Sequence, residues 1–342
     1  MYKKVSLVLG IVMVLGLVLA SCAPKPGAGF KACEVTDMGG VDDKSFNAAG
    51  WLGVTSAVKD YGIEGVYLES KQQTDYANNI NAFLTQNCNI IIGVGFLLGD
   101  AVKAAAEANP AQKFAIIDFS YDPVLENVRG NGSKIDQATF LAGYLAAGMT
   151  TTQKVATYGG MQFPSVTLFM DGFVFGVNEY NKVHGTTVTV LCWDTATQTG
   201  SFTGDFSNTD NGKTVTLAFL DEGADIILPV AGPVGQGTLA ALQERGTGTM
   251  IGVDTNWSLF YPDYADFILA SAFKKIDVWT NQIIKTVIDG TFTGGTDTGD
   301  LENGLVGLVY GSAWESQIPA SLKTEIDGLK AGILAGTTAT HP

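Results

Sequence analysis

The sequence predicts an α/β fold of two similar lobes, each a mostly parallel sheet with helices on both faces. Three observations predict it. After residue 30, short wholly apolar runs alternate with helical stretches; one helix-strand-loop-helix-strand unit occurs twice; and three of the strands close on aspartate. Apolar runs without polar alternation fit strands buried on both faces, as in parallel sheets covered by helices.

Taken in order, FKACEVTD reads as the first strand and ends on Asp37. The glycine turn MGGVDDKSFNAAGW follows, with a helix starting at Ser45 and Phe46 in its first turn. Ile90-Ile91-Ile92 is a buried strand that leads into the loop Gly93-Val94-Gly95-Phe96-Leu97-Leu98-Gly99, and Phe114 to Ile117 is the next, ending on Asp118. Val155-Ala156-Thr157 and Val188 to Leu191 are further strands, separated by a helix and the turn-like NKVHGTT. The second runs on to Trp193 and Asp194, then to the loop GSFTGDFSN with Phe202 and Phe206. Ile226-Ile227-Leu228, the loop from Gly232 to Gly237, and Met250 to Val253 with Asp254 repeat the earlier pattern; ILASAFKKID then brings Lys274.

The repeat is in register without a gap. AFLTQNCNIIIGVGFLLGDAVKAAAEA starts at Ala82 and AFLDEGADIILPVAGPVGQGTLAALQE at Ala218, an offset of 136 residues that also carries Asp118 onto Asp254. A shared buried pattern accounts for matching isoleucines and alanines, but not for the common Ala-Phe-Leu start and terminal aspartate. Duplication of the unit makes two Rossmann-like lobes facing each other, the architecture of periplasmic binding proteins, whose ligand lies between lobes that close on a hinge. The expected division is residues 30–128 plus 253–300 for the first lobe and 129–252 plus 301–342 for the second.

Residues 1–22 read as a bacterial lipoprotein signal: Lys3 and Lys4, an uncharged apolar run from Val5 to Leu19, and Leu19-Ala20-Ser21-Cys22. Cleavage before Cys22 would leave its thiol to carry a diacylglycerol, with residues 23–29 as a tether. Removing 22 residues from 342 leaves 320, enough for two cores of ordinary size. A formal charge of -14 argues against nucleic acid and favours an uncharged or cationic small ligand. Cys33, Cys88 and Cys192 are expected as core thiols, and the spacing of Cys and His suggests neither a metal site nor a resident cofactor. His184 in its turn and His341 in the tail leave no convincing catalytic triad, so an enzyme is not expected.

In open α/β sheets, ligands sit beyond the carboxyl ends of the strands. Asp37, Asp118 and Asp254 stand there, and a carboxylate can accept two hydroxyls, as from the cis-diol of ribose; any one of them could equally cap the next turn. Phe46 could stack on a planar base, with Phe202 or Phe206 on its opposite face. Neither glycine loop has P-loop or dinucleotide spacing. Both suit close backbone approach, with Gly232 offering a peptide group, while Lys274 could reach the cleft and offset its carboxylates.

TDMGGVDDKSFNAAGW, NIIIGVGFLLGDAVKAAAEANPAQKFAIID, TFLAGYLAA, GFVFGV, DEGADIILPVAGPVGQG, IGVDTN and SAFKKID resemble, in order and spacing, the basic membrane protein family of nucleoside-binding lipoproteins, over about residues 33 to 310. That resemblance implies a type I periplasmic-binding-protein fold and a substrate-binding lipoprotein that takes a purine nucleoside and delivers it to ABC permease subunits. It also implies the roles: Phe46 on the base with Phe206 or Phe202 opposite, Asp118 and Asp254 on ribose hydroxyls with Lys274 beside them, and Asp37, Asn47 and Gly232 contacting base or sugar. The chain departs from the family's usual pattern at Asn256-Trp257, at Pro233-Val234 and at the turn from Ser201 to Phe206. Two other functions stay open: a sugar-binding protein using Trp193 and Trp257 as platforms, and a metal-dependent nucleoside enzyme using Asp42 and Asp43 beside Asp37.

Overall fold

A computed structural model describes Gly27 and residues 29–341. The expected signal peptide, the lipidation site Cys22 and most of the tether lie outside the described residues.

Strand and helix alternate through β1 (Lys31–Val35), α1 (Phe46–Tyr61), β2 (Glu64–Leu68), α2 (Thr74–Leu84), β3 (Ile90–Val94), α3 (Gly99–Ala108), β4 (Lys113–Ile117) and β5 (Val128–Ser133). Next come α4 (Ile135–Met149), β6 (Lys154–Gly159), α5 (Pro164–His184), β7 (Thr189–Leu191) and a small ribbon of β8 (Trp193–Asp194) with β9 (Thr199–Gly200). The chain continues through α6 (Thr209–Asp221), β10 (Ile226–Val230), α7 (Gly235–Arg245), β11 (Thr249–Asp254), the short α8 (Trp257–Phe260) and β12 (Ile268–Lys274). It finishes with α9 (Ile276–Ile288), β13 (Gly295–Gly299), β14 (Val306–Tyr310) and α10 (Ala320–Leu334).

Two six-stranded sheets result, ordered β13-β5-β4-β3-β1-β2 and β14-β12-β11-β10-β6-β7. All neighbours pair in parallel except β14, which runs antiparallel to β12. The mixed α/β fold with two parallel-sheet lobes is the one expected. The repeated units lie in different sheets and match position for position: β3 with β10, β4 with β11, the 3-10 turns Phe96–Leu98 and Gly232–Val234, and the helix starts Gly99 and Gly235. Even the strand-end aspartates share a left-handed backbone, with φ of 59° at Asp118 and 67° at Asp254.

The first sheet shows why its runs carry no polar alternation. Ile90, Ile92, Val94, Ala115 and Ile117 face the side of α1 and α9, while Ile91, Phe114 and Ile116 face that of α2 and α3. Both faces are core, so both sets must be apolar. In the second lobe, α4 and α5 approach closely through glycine. A Cβ on Gly143 would stand 2.0 Å from the Phe173 carbonyl oxygen, and one on Gly176 would stand 1.9 Å from that of Phe140.

The lobe boundaries differ from those expected. β5 keeps residues 129–133 in the first sheet, and β11 with β12 keeps residues 249–274 in the second, so the chain crosses near Lys134 and again near Lys275 rather than at 253. The reason is the ladder: β12 pairs along β11 from Met250↔Ile268 to Asp254↔Phe273, and that pairing is not written in either strand's own pattern. The cysteines also differ. Cys33 and Cys88 form a disulfide, because β1 pairs with β3 and brings together residues 55 apart in sequence. Cys192 is exposed, turned out at a positive φ of 65° between β7 and β8.

Candidate functional site

The carboxyl ends of β1, β4, β11 and β12 deliver Asp37, Asp118, Asp254 and Lys274 to one cavity between the lobes, and the start of α1 adds Phe46 and Asn47. The start of α1 is held by Asp43. Its Oδ1 accepts the backbone N–H groups of Ser45 and Ala48, and its Oδ2 accepts that of Asn47, at 2.8 to 2.9 Å. Orphan donors at a helix start need such an acceptor. Ser45, the formal cap residue, leaves that task and donates its hydroxyl to Asp254 Oδ2 across the lobes at 3.4 Å. Asn47 then ties the turn to β1: its Nδ2 donates to Asp37 Oδ1 at 2.7 Å, and its Oδ1 accepts the Asp37 N–H at 3.0 Å.

Lys274 joins the two lobes electrostatically. Its Nζ lies 2.6 Å from Asp118 Oδ2 and 3.2 Å from Asp254 Oδ1, and 4.9 Å and 5.1 Å from the ring centres of Phe46 and Phe169. Burial alone would push the amine down, but the two carboxylates outweigh it and hold Lys274 above the usual lysine value. Asp37 is pushed up to about 6 by burial, against hydrogen bonds from the Gly39 N–H and Asn47 that favour its charged form. Burial raises Asp43 as well, opposed by its backbone donors.

Aromatic rings make most of the apolar wall. Phe163, just ahead of α5, stacks on Phe96 of the opposite lobe with centres 4.7 Å apart and planes 20° apart, and lies 6.4 Å from Phe206. Phe206 lines the cavity and Phe202 does not. The parallel bridge from Phe202 to Gly159 draws that backbone onto β6, and its ring packs over Gly159 and edge-on to Trp193 at 5.9 Å. Gly232 lines the cavity with φ of 53°, a left-handed turn with open space where a Cβ would stand. Sequence reasoning did not single out Phe163 or Phe169, and it read Asp43 only as a carboxylate. The signals were present: Pro164 marks a helix start directly after Phe163, and Asp43 precedes the start of α1 by the spacing of a capping turn.

Neither tryptophan offered as a sugar platform reaches this cavity. Trp257 is fully buried with its indole N–H on the Val253 carbonyl at 2.8 Å, and Trp193 is buried with its N–H on Asp171 at 2.9 Å. His184 ends α5 and stacks on Tyr180, 2.8 Å from Glu325. Among the described residues, no group of three or more His, Cys, Asp or Glu is arranged to hold a metal ion. The arrangement brings carboxylate acceptors for hydroxyl or amine donors together with aromatic rings that offer apolar area to a planar group.

The family model for Bmp, described as ABC transporter substrate-binding protein PnrA-like, matches residues 30–330. The chain is 30% identical over 354 aligned positions to the ABC transporter nucleoside-binding protein BmpA of Lactococcus lactis, covering 96% of this chain and 97% of that one. It is 29% identical to basic membrane protein A of Borreliella burgdorferi, over 96% of this chain and 93% of the other. Among solved structures it resembles an ABC transporter solute-binding protein from Aeropyrum pernix K1, with a TM-score of 0.81, 25% identity, and 90% and 92% of the two chains covered. Two parallel-sheet lobes enclosing one cavity, together with these matches, place the chain in the Bmp family of PnrA-like ABC transporter substrate-binding proteins.

Proposed function

We propose that this protein binds a purine nucleoside between its lobes and presents it to the permease subunits of an ABC importer, held at the membrane by lipid on Cys22. The observation that carries the reading is the convergence in one cavity of stacking rings, Phe46 and Phe206, with the Asp118-Lys274-Asp254 cluster. Rings offer area for a base, and buried carboxylates can take the two hydroxyls of a ribose. The printed name of the Lactococcus relative, a nucleoside-binding protein, supports the same ligand class. As a Bmp-family substrate-binding protein, the chain works outside the cytoplasm with a permease and is related to binding proteins rather than to enzymes. No helix among the described residues is long and apolar enough to cross a membrane. The lipid anchor of this reading is the signal that ends at Cys22, outside those residues.

Titration calorimetry of the mature protein with purine ribonucleosides tests the ligand. Asp254→Ala should weaken ribonucleoside binding by about 1.5–3 kcal/mol, the worth of a hydrogen bond to a charged group. It should weaken 2′- and 3′-deoxy analogues less, since an absent hydroxyl cannot be lost. Equal losses for both would remove the ribose role, and no binding of any nucleoside would remove the reading.

A further inference from the structure

We infer that the cleft selects a cationic nucleoside, one whose base carries a positive charge, over the neutral isomer of the same nucleoside. This rests on the nucleoside reading above.

The cavity wall carries Asp37, Asp43, Asp118 and Asp254 against a single cation, Lys274, and no arginine or histidine lines it. Four carboxylates against one amine leave an excess of three negative charges. The amine is already committed to Asp118 and Asp254. Asp43 spends its oxygens on the start of α1. Asp37 is different. It is only 7% exposed, its Oδ1 takes both the Gly39 N–H and the Asn47 amide, and its Oδ2 takes neither. An oxygen left without those donors, on a residue that lines the cavity, can take a ligand that brings positive charge or donors to it.

The rest of the wall acts in the same direction. Phe46, Phe96, Phe163, Phe169 and Phe206 line the cavity, and the faces of such rings are electron-rich and attract cations within about 6 Å. The protein itself places its one cavity cation over two of them, Phe46 and Phe169. Among the described residues, no cation of the protein stands over Phe96, Phe163 or Phe206 as Lys274 stands over Phe46 and Phe169. A planar, charged, N-alkylated base satisfies both demands at once: it stacks as a base does and cancels charge as a cation does. The formal charge of -14 on the whole chain draws such a ligand in.

The test uses isomers, so that mass and methyl count do not differ within a pair. The mature protein is titrated near neutral pH, above the raised Asp37 value of about 6, with 1-methyladenosine, a cation, against N6-methyladenosine, its neutral isomer, and with 7-methylguanosine, a partly cationic base at that pH, against O6-methylguanosine. Adenosine and guanosine serve as references. The cation should bind about tenfold or more tightly than its isomer in at least one pair, about 1.4 kcal/mol, and no more weakly in the other. Any other ranking overturns the inference. If adenosine or guanosine binds and neither cation gains, only the charge preference fails; if no nucleoside of any charge binds, the nucleoside reading fails with it. Asp37→Asn, checked for folding by its circular dichroism, should narrow the ratio between cation and neutral isomer by about threefold or more, and an unchanged ratio in a folded variant would overturn the role given to Asp37.

Discussion

Replacing Lys274 by methionine keeps most of the side-chain volume and removes the charge. Lys274, Asp118 and Asp254 are each less than a tenth exposed, so the two ion pairs are buried. At an effective dielectric of about 20, contacts of 2.6 and 3.2 Å correspond to roughly 6 and 5 kcal/mol of attraction. Several kcal/mol of that offsets the desolvation of the buried ions, and removing one partner of such a cluster costs about 3–5 kcal/mol. The loss should depend on pH in a definite direction. Burial already pushes the Asp118 carboxyl up against the pull of Lys274, and without the amine only the upward push remains. A carboxyl raised in the folded state binds its proton more tightly there than in the unfolded chain. Stability therefore falls as pH rises from the unfolded aspartate value, about 3.9, toward the folded one. Urea midpoints of wild type and Lys274→Met, measured from mildly acid to mildly alkaline pH, should lie closest at the acid end and diverge toward neutrality. A loss of the same size throughout, or no loss, would show that the amine does not hold these carboxylates.

Two further outcomes concern stability. Glu34 in β1 is fully buried, neither carboxyl oxygen has a partner among the described residues, and burial, with Asp43 nearby, pushes it well above the usual glutamate value. Its raised folded pKa costs stability as pH climbs from about 4.3, so Glu34→Met should raise the urea midpoint by about 1–3 kcal/mol equivalent near neutral pH and flatten its pH dependence; a lowered midpoint would mean the carboxyl has a partner after all. Reducing the Cys33–Cys88 disulfide should destabilise the protein by about 2–4 kcal/mol, as expected for cross-linked residues 55 apart. A Cys33→Ala/Cys88→Ala variant should be indifferent to reductant in the same urea titration, and an equal response of both proteins would refute the pairing.

Local pattern alone determined a good deal of this protein. Unbroken apolar runs such as Ile90-Ile91-Ile92 announce strands covered on both faces, and an offset of 136 residues announces two copies of one unit. Since every parallel strand presents the same end to the loops that follow it, Asp37, Asp118, Asp254 and Lys274 were legible as cleft residues from their places at strand ends. Phe46 was legible from its place at a helix start.

Only the tertiary structure decided what those residues meet. Phe202 and Phe206 stand four residues apart in one loop, and their local sequence does not distinguish them. The bridge to Gly159 packs one over Gly159 and against Trp193 while the other lines the cavity. Phe163 reaches Phe96 only because two lobes face each other, and Cys33 reaches Cys88 only because β1 and β3 are neighbours in the sheet. The crossing near Lys275 follows from β12 pairing onto β11. In each case the missing information is a contact between segments distant along the chain. Periodicity reports how a segment is covered, whereas the partner that covers it is selected by packing of the whole.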